Sequence, residues 1–392
     1  MKMKKIYILF IMLIFISCNL FSIGFGFHVF EVRTTPDFAN GFFPTSVLYR
    51  FDFPIPNFVS GNSTMFAVSF DNGLEYRTLS QHPDTGYFFE NNKDASWFFD
   101  SREYSTHYDE FLLIFKQGFG GQTSDKKDHF SIGAAIGGRF ERSFERLSWL
   151  YDSSNLNGVF HKSATELRYP DSLWLGQPEL AGDRNTFQTF VDVLLNFNYM
   201  NSSPTIKNGV SSSLRFRISP EKMLVSDGSS DFYSVDVSLS LAYTPFSVQQ
   251  INRDLTWFSI VMGNDFNYSF IYGSKIPYYA SNEYIYGSTL PNTNSRILNR
   301  TYISFFGPQI YAKDLYPVIS VFNDIGFSFG NALNSINDKL FGELAASFGF
   351  KAEFIVYDIF SLFYEVGFLY KKPFEDIEVS MLNGRFGITI EV

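Results

Sequence analysis

Over much of this chain apolar and polar residues alternate one for one across strand-length segments. Only a sheet face accounts for that period, because successive side chains on a strand point to opposite sides. Leu382, Gly384, Phe386, Ile388, Ile390 and Val392 alternate with Asn383, Arg385, Gly387, Thr389 and Glu391. Tyr233, Val235, Val237, Leu239, Leu241 and Tyr243 alternate with Ser234, Asp236, Ser238, Ser240 and Ala242. The same pattern recurs at Phe130–Glu141, Val210–Ile218, Phe258–Phe270, Ile319–Phe329, Leu344–Phe354 and Phe360–Tyr370. The fold class that follows is all-β.

The N-terminus differs. Lys2, Lys4 and Lys5 precede an unbroken apolar run from Ile6 to Ile16, followed by Ser17, Cys18, Asn19 and Ser22. A basic start, a short apolar run and small residues are the marks of a secretory signal peptide, assigned to residues 1–22. The run is too short for a transmembrane helix, which needs roughly twenty apolar residues. Phe15-Ile16-Ser17-Cys18 is also a lax lipobox, so Cys18 is either acylated or discarded with the signal. As the single cysteine it excludes an internal disulfide.

No later window approaches eighteen consecutive apolar residues, so a membrane location for 23–392 requires a closed barrel. Composition agrees. Aromatic residues make up 19% of the chain, with 48 Phe and 23 Tyr, yet mean hydropathy is near zero. A soluble protein would have to bury those rings, whereas a barrel turns its apolar face to lipid and places rings at both interfaces. The formal net charge of −9 offers no basic patch for nucleic acid.

Candidate strands fall at 25–33, 43–53, 64–77, 106–118, 128–142, 187–200, 209–219, 231–245, 256–272, 300–311, 318–330, 341–356, 358–370 and 382–392. That is about fourteen antiparallel strands, with twelve to sixteen open. A hairpin near Tyr357 and Asp358 joins two of them. With periplasmic termini the outer loops are 34–42, 78–105, 143–186, 220–230, 273–299, 331–340 and 371–381, and the three longest connections share that side, as barrel asymmetry requires. Those loops hold Trp97, Trp149 and Trp174. No internal repeat or composition shift marks a second domain, so 23–392 reads as one barrel.

Residues opposite the apolar faces should line the lumen: Arg50, Asp52, Asp71, Glu75, Arg77, Arg139, Glu141, Asp192, Arg215, Arg217, Asp236, Asp265, Asp324, Glu343, Lys351, Glu353, Glu365, Arg385 and Glu391. Acids outnumber bases, which favours cations in a conducting pore. The bland alternative is that these charges pair across strands and fill the interior. On the clearest strands, Arg139, Arg215, Arg217, Asp236, Asp324, Glu343, Lys351, Glu353 and Arg385 are the lumen positions expected to matter for permeation.

No catalytic, metal or cofactor site is assigned. His28, His82, His107, His129 and His161 are scattered without paired spacing. Gly118-Phe119-Gly120-Gly121 lacks the Lys and Ser/Thr of a phosphate loop and sits in an expected turn.

In architecture and size, the strand series from Phe43 to Val392 resembles the long-chain fatty-acid transporter (FadL-like) class of outer-membrane proteins. The resemblance implies a hydrophobic-compound uptake route and an N-terminal hatch, for which only residues 23–42 are available here. Leu382–Val392 resembles the terminal strand read by the barrel-insertion machinery, although it ends in Val where Phe is usual. The function expected is a porin-like outer-membrane channel or uptake route for small solutes or hydrophobic ligands. The rival is a surface-exposed adhesin or ligand-binding protein acting on a host surface ligand through loops 78–105, 143–186 and 273–299.

Overall fold

A computed structural model describes residues 26–34, 45–55, 58–81, 88–90, 101–123, 127–145, 184–203, 205–223, 230–250, 255–276, 284–285, 288–289, 293–310, 315–332, 340–356, 360–371 and 382–391. The expected signal peptide, Cys18, His82, His161 and the three loop tryptophans lie outside them, as do the hairpin positions Tyr357 and Asp358.

The elements are strands: β1 Gly26–Thr34, β2 Thr45–Pro54, β3 Thr64–Gln81, β4 Phe88–Glu90, β5 Ser101–Gln122, β6 Asp128–Glu145, β7 Arg184–Asn198, β8 Asn201–Ser203 and β9 Ile206–Ser219. They continue with β10 Asp231–Gln249, β11 Thr256–Lys275, β12 Tyr284–Ile285, β13 Ser288–Thr289, β14 Thr293–Phe306, β15 Leu315–Ala332, β16 Leu340–Val356, β17 Phe360–Lys371 and β18 Leu382–Glu391.

Pairing runs β10-β11-β14-β15-β16-β17-β18-β1-β2-β3-β5-β6-β7-β9, and β9 pairs back onto β10. Fourteen antiparallel strands therefore close a ring, leaving β4 and β8 as short additions at its rims and β12–β13 as a separate hairpin. Closure gives every strand of the ring a partner on both sides over its central stretch, which is the condition for crossing hydrocarbon with strands. β1 pairs with both β18 and β2, so residues 26–34 are barrel wall and not a hatch.

Burial follows the alternation, inverted relative to a soluble protein. Phe111, Phe115, Ile132, Ile136, Leu344, Phe348, Phe350 and Phe354 are exposed on the outside, whereas Asp52, Arg139, Glu141, Asp192, Arg217, Asp324 and Glu365 are buried inside. On β10 the expected apolar face from Tyr233 to Tyr243 is the outer one: Tyr233, Leu241 and Tyr243 are exposed and Ser234 and Ala242 are buried.

Several strand limits need correction. β5 starts at Ser101 rather than 106, β14 spans Thr293–Phe306 rather than 300–311, and β3, β6 and β11 run on to Gln81, Glu145 and Lys275. The three long outer connections shrink to 82–100, 146–183 and 276–292. Alternation reports only where one face meets an apolar medium, but backbone pairing needs no apolar face, so these ladders continue past it. Gly118–Gly121 is likewise not a turn: it belongs to β5, where Gly120 (φ 78°) and Gly121 (φ 86°) take left-handed conformations within a bulge.

Candidate functional site

The lumen wall is built from one recurring arrangement. An aromatic residue and an acid two positions later share the inner face of one strand. A cation stands directly opposite the acid on one neighbouring strand, and a glycine stands opposite the aromatic on the other. Tyr108 and Glu110 lie on β5, with Arg139 opposite Glu110 and Gly73 opposite Tyr108. Phe190 and Asp192 lie on β7, with Arg217 opposite Asp192 and Gly137 opposite Phe190. Phe322 and Asp324 lie on β15, with Arg300 and Gly349. Phe363 and Glu365 lie on β17, with Lys351 and Gly387.

Each residue type has a reason. Glycine lets the ring lie flat on the neighbouring strand: a Cβ at Gly73 would meet the Tyr108 ring at 2.6 Å, one at Gly137 the Phe190 ring at 2.6 Å, and one at Gly349 the Phe322 ring at 2.3 Å. The cation then covers the ring face, with Arg139 Cζ 4.1 Å from the Tyr108 centroid, Arg217 3.6 Å from Phe190, Arg300 4.2 Å from Phe322 and Lys351 Nζ 4.9 Å from Phe363. In the β7 and β15 units the facing acid holds the arginine in place, whereas Arg139 is held mainly by Glu141 and Lys351 by Glu353. Arg217 is bidentate to Asp192 at 2.8 and 2.9 Å, and Arg300 to Asp324 at 2.7 and 2.8 Å.

The units join into two clusters. Arg139 binds Glu141 at 2.6 Å and Glu110 at 3.4 Å, and Arg217 also reaches Glu110 at 3.8 Å, across two intervening strands. On β14–β17, Arg300 binds Glu365 at 2.7 Å, again across two strands, and Lys351 binds Glu353 at 2.9 Å. The strand order places β5–β9 and β14–β17 on opposite sides of the ring, so two charged walls face each other at mid-barrel.

Of the nine lumen positions singled out from sequence, Arg139 and Arg217 thus join one wall, and Asp324, Lys351 and Glu353 the other. Arg215 and Asp236 pair with each other at 2.8 Å between the walls, and their side chains keep 45% and 29% exposure on the inner face. For Glu343 and Arg385 the backbone places them opposite Ser328 and Glu365, while their side chains lie outside the described residues.

Sequence reading did not reveal the ends of the lumen. At the short-turn end the ladder between β9 and β10 stops at Gly209 (φ 132°), and residues 206–208 pair instead with β8. This β8–β9 hairpin lies against the inner face of β11: Thr205 Oγ1 donates to Thr256 Oγ1 at 2.8 Å, and Ser259 Oγ donates to the Thr205 carbonyl at 2.5 Å. Met200, just before it, packs on a buried apolar cluster of inward residues, Ala242, Val261, Phe306, Tyr316 and Val318. At the opposite rim β13 comes within 8 Å of β4, Cα to Cα, although they hang from opposite arcs of the ring.

Asp128 was equally invisible. It accepts from the Ser63 amide at 2.9 Å, the Ser63 hydroxyl and Gln122 Nε2 at 3.2 Å, stitching the start of β6 to the end of β5 and to the residue before β3. Among the described residues no group of three or more His, Cys, Asp or Glu is placed to hold a metal.

No family model matches the sequence, and no curated protein matches it. Solved structures that it resembles include CdiB from Escherichia coli (TM-score 0.47, 8% identity, 93% of this chain and 63% of that one) and BamA from Haemophilus ducreyi lacking POTRA domains 1–3 (0.41, 13%, 93% and 70%). A triple-mutant porin from Rhodopseudomonas blastica aligns at TM-score 0.27 and 9% identity over 94% of this chain and 99% of that one.

Proposed function

We propose that the chain is an outer-membrane channel that admits small polar solutes through a constricted, charge-lined lumen. The observation that supports it is the solvated Arg215–Asp236 pair on the inner face of a ring whose outer face is apolar. A ring of fourteen strands spaced at ~4.8 Å and tilted by ~40° has a backbone diameter of roughly 28 Å, more than side chains alone fill. The two charged walls narrow that space without sealing the part between them.

A route for long hydrophobic compounds is less well supported. Moving an alkyl chain past Arg139, Arg217, Arg300 and their carboxylates would displace water from charged groups without replacing their hydration. On this reading lipid is the surrounding solvent, and β18 is the strand offered to the insertion machinery. The loop-borne adhesin reading concerns residues that fall largely outside the described ones.

The test is single-channel conductance of the refolded barrel in planar bilayers, with Arg215→Glu as the variant. Arg215 is chosen over Arg217 because its exposure lets it change without stranding a buried partner. Stepwise openings whose cation-to-anion preference rises several-fold in the variant are expected. A folded barrel that never conducts, or one whose selectivity ignores Arg215, would remove the channel reading.

A further inference from the structure

The inner face carries a second feature that the paired walls do not use. Near the short-turn end lies a cavity of about 310 Å³, within the size range of small-ligand sites, lined by Lys116, Lys127, Asp128, Ser131, Asn196, Asn198, Met200, Ser211, Ser213 and Ser238. The space exists because the inner face of β6 is small there. Gly133 stands directly opposite Lys116, with Ala135 next along that face.

Its charge balance is the reverse of the whole chain's. The acid in the lining, Asp128, already accepts the Ser63 amide and hydroxyl and the Gln122 amide. Lys116 is half-buried on the inner face and makes no hydrogen bond or ion pair with any described residue, whereas Arg50, Arg139, Arg215, Arg217, Arg300 and Lys351 each have a carboxylate within 3 Å. A partly desolvated ammonium with no carboxylate in direct contact is where an external anion gains most. Around it, four serine hydroxyls and two carboxamides offer donors and acceptors, with Ser213 and Ser238 bonded to each other at 2.6 Å and Asn196 to Ser131 at 3.3 Å. Met200 closes the floor with an apolar surface.

We infer that this cavity is a binding station for a small hydroxylated organic anion, with its carboxylate on Lys116, its hydroxyls on the serine and asparagine lining, and its carbon skeleton against Met200. A bare inorganic anion would leave most of that lining unused, and a neutral polyol would leave Lys116 uncompensated. The station goes beyond the channel reading: it would hold such an anion whether or not the lumen conducts.

The experiment is calorimetric titration of the full barrel, refolded in detergent and checked by heat-modifiable migration, with gluconate and with sorbitol as the uncharged control. Gluconate is expected to bind at one saturable site and sorbitol not to bind. Lys116→Gln should weaken gluconate at least tenfold, while Lys222→Gln, which removes the same charge from an exposed position at the other end, should leave it unchanged. Should Lys116→Gln fail to fold, amine acylation of the wild-type barrel read by mass spectrometry replaces it: gluconate should protect Lys116 and not Lys222. No gluconate binding, equal binding of sorbitol, or absence of protection at Lys116 overturns the inference. Binding without conductance would retain the station and sink the channel, and conductance without binding would do the opposite.

Discussion

At the scale of single residues, the lumen separates two kinds of ion pair that look alike in sequence. Arg217 and Asp192 are almost fully buried, whereas Arg215 and Asp236 are solvated. Asp192→Ala therefore removes the bidentate partner of a buried guanidinium, leaving Glu110 at 3.8 Å, and should cost about 3–5 kcal/mol, while Asp236→Ala should cost under ~1 kcal/mol. Urea unfolding in detergent, followed by tyrosine and tryptophan fluorescence, distinguishes them. The glycines opposite the rings set a separate test. Gly137→Val drives side-chain atoms into Phe190 and Leu112, which already stand within 2.7 Å of where its β-carbon would sit, and should destabilise by about 1–3 kcal/mol. The charges themselves were legible, since parity alone put Arg139, Arg217, Asp324 and Lys351 inside. Their glycine and aromatic partners were not, because Gly137 meets Phe190 only through a register set between strands separated by a long loop.

At the scale of elements, alternation located the strands but not their ends. β5 extends five residues before the expected start because its N-terminal half has no apolar face to announce it. The inward β8–β9 hairpin falls between the expected strands 187–200 and 209–219, where Asn201–Ser203 and Lys207–Asn208 are polar and turn-like whichever way they fold. What turns it inward is Met200, whose apolar partners Val261, Phe306 and Tyr316 interrupt the polar inner face of strands distant in sequence. A charge at Met200 cannot stay in that cluster without a partner. Met200→Glu is thus expected to release the hairpin and raise single-channel conductance several-fold, with the unfolding midpoint changed by far less than in Asp192→Ala.

At the scale of the whole molecule, the outer surface has two aromatic rims. Tyr199, Tyr243 and Trp257 are exposed toward the short-turn end, and Tyr233, Tyr272 and Tyr370 toward the long-loop end. The ten steps along β10 from Tyr243 to Tyr233, at ~3.3 Å each on a strand tilted by ~40°, rise ~25 Å, the height of an outer-membrane apolar band. Trp257 should accordingly be quenched more strongly by lipids brominated near the headgroup than by lipids brominated at the chain ends. Equal quenching at both depths would displace the membrane from this band.

The ring also has one join unlike the others. Every other ladder in it connects strands adjacent or nearly adjacent along the chain, but the ladder between β1 and β18 ties Val29 to Glu391 and Thr34 to Phe386. Loop-closure entropy is greatest there, and the ladder is among the shortest. A chain made from its N-terminus must hold β1 without one partner until β18 exists. Assembly is then a matter of timing: thirteen staves can stand in order while the cask is still open, and the same join is where a completed one would first spring.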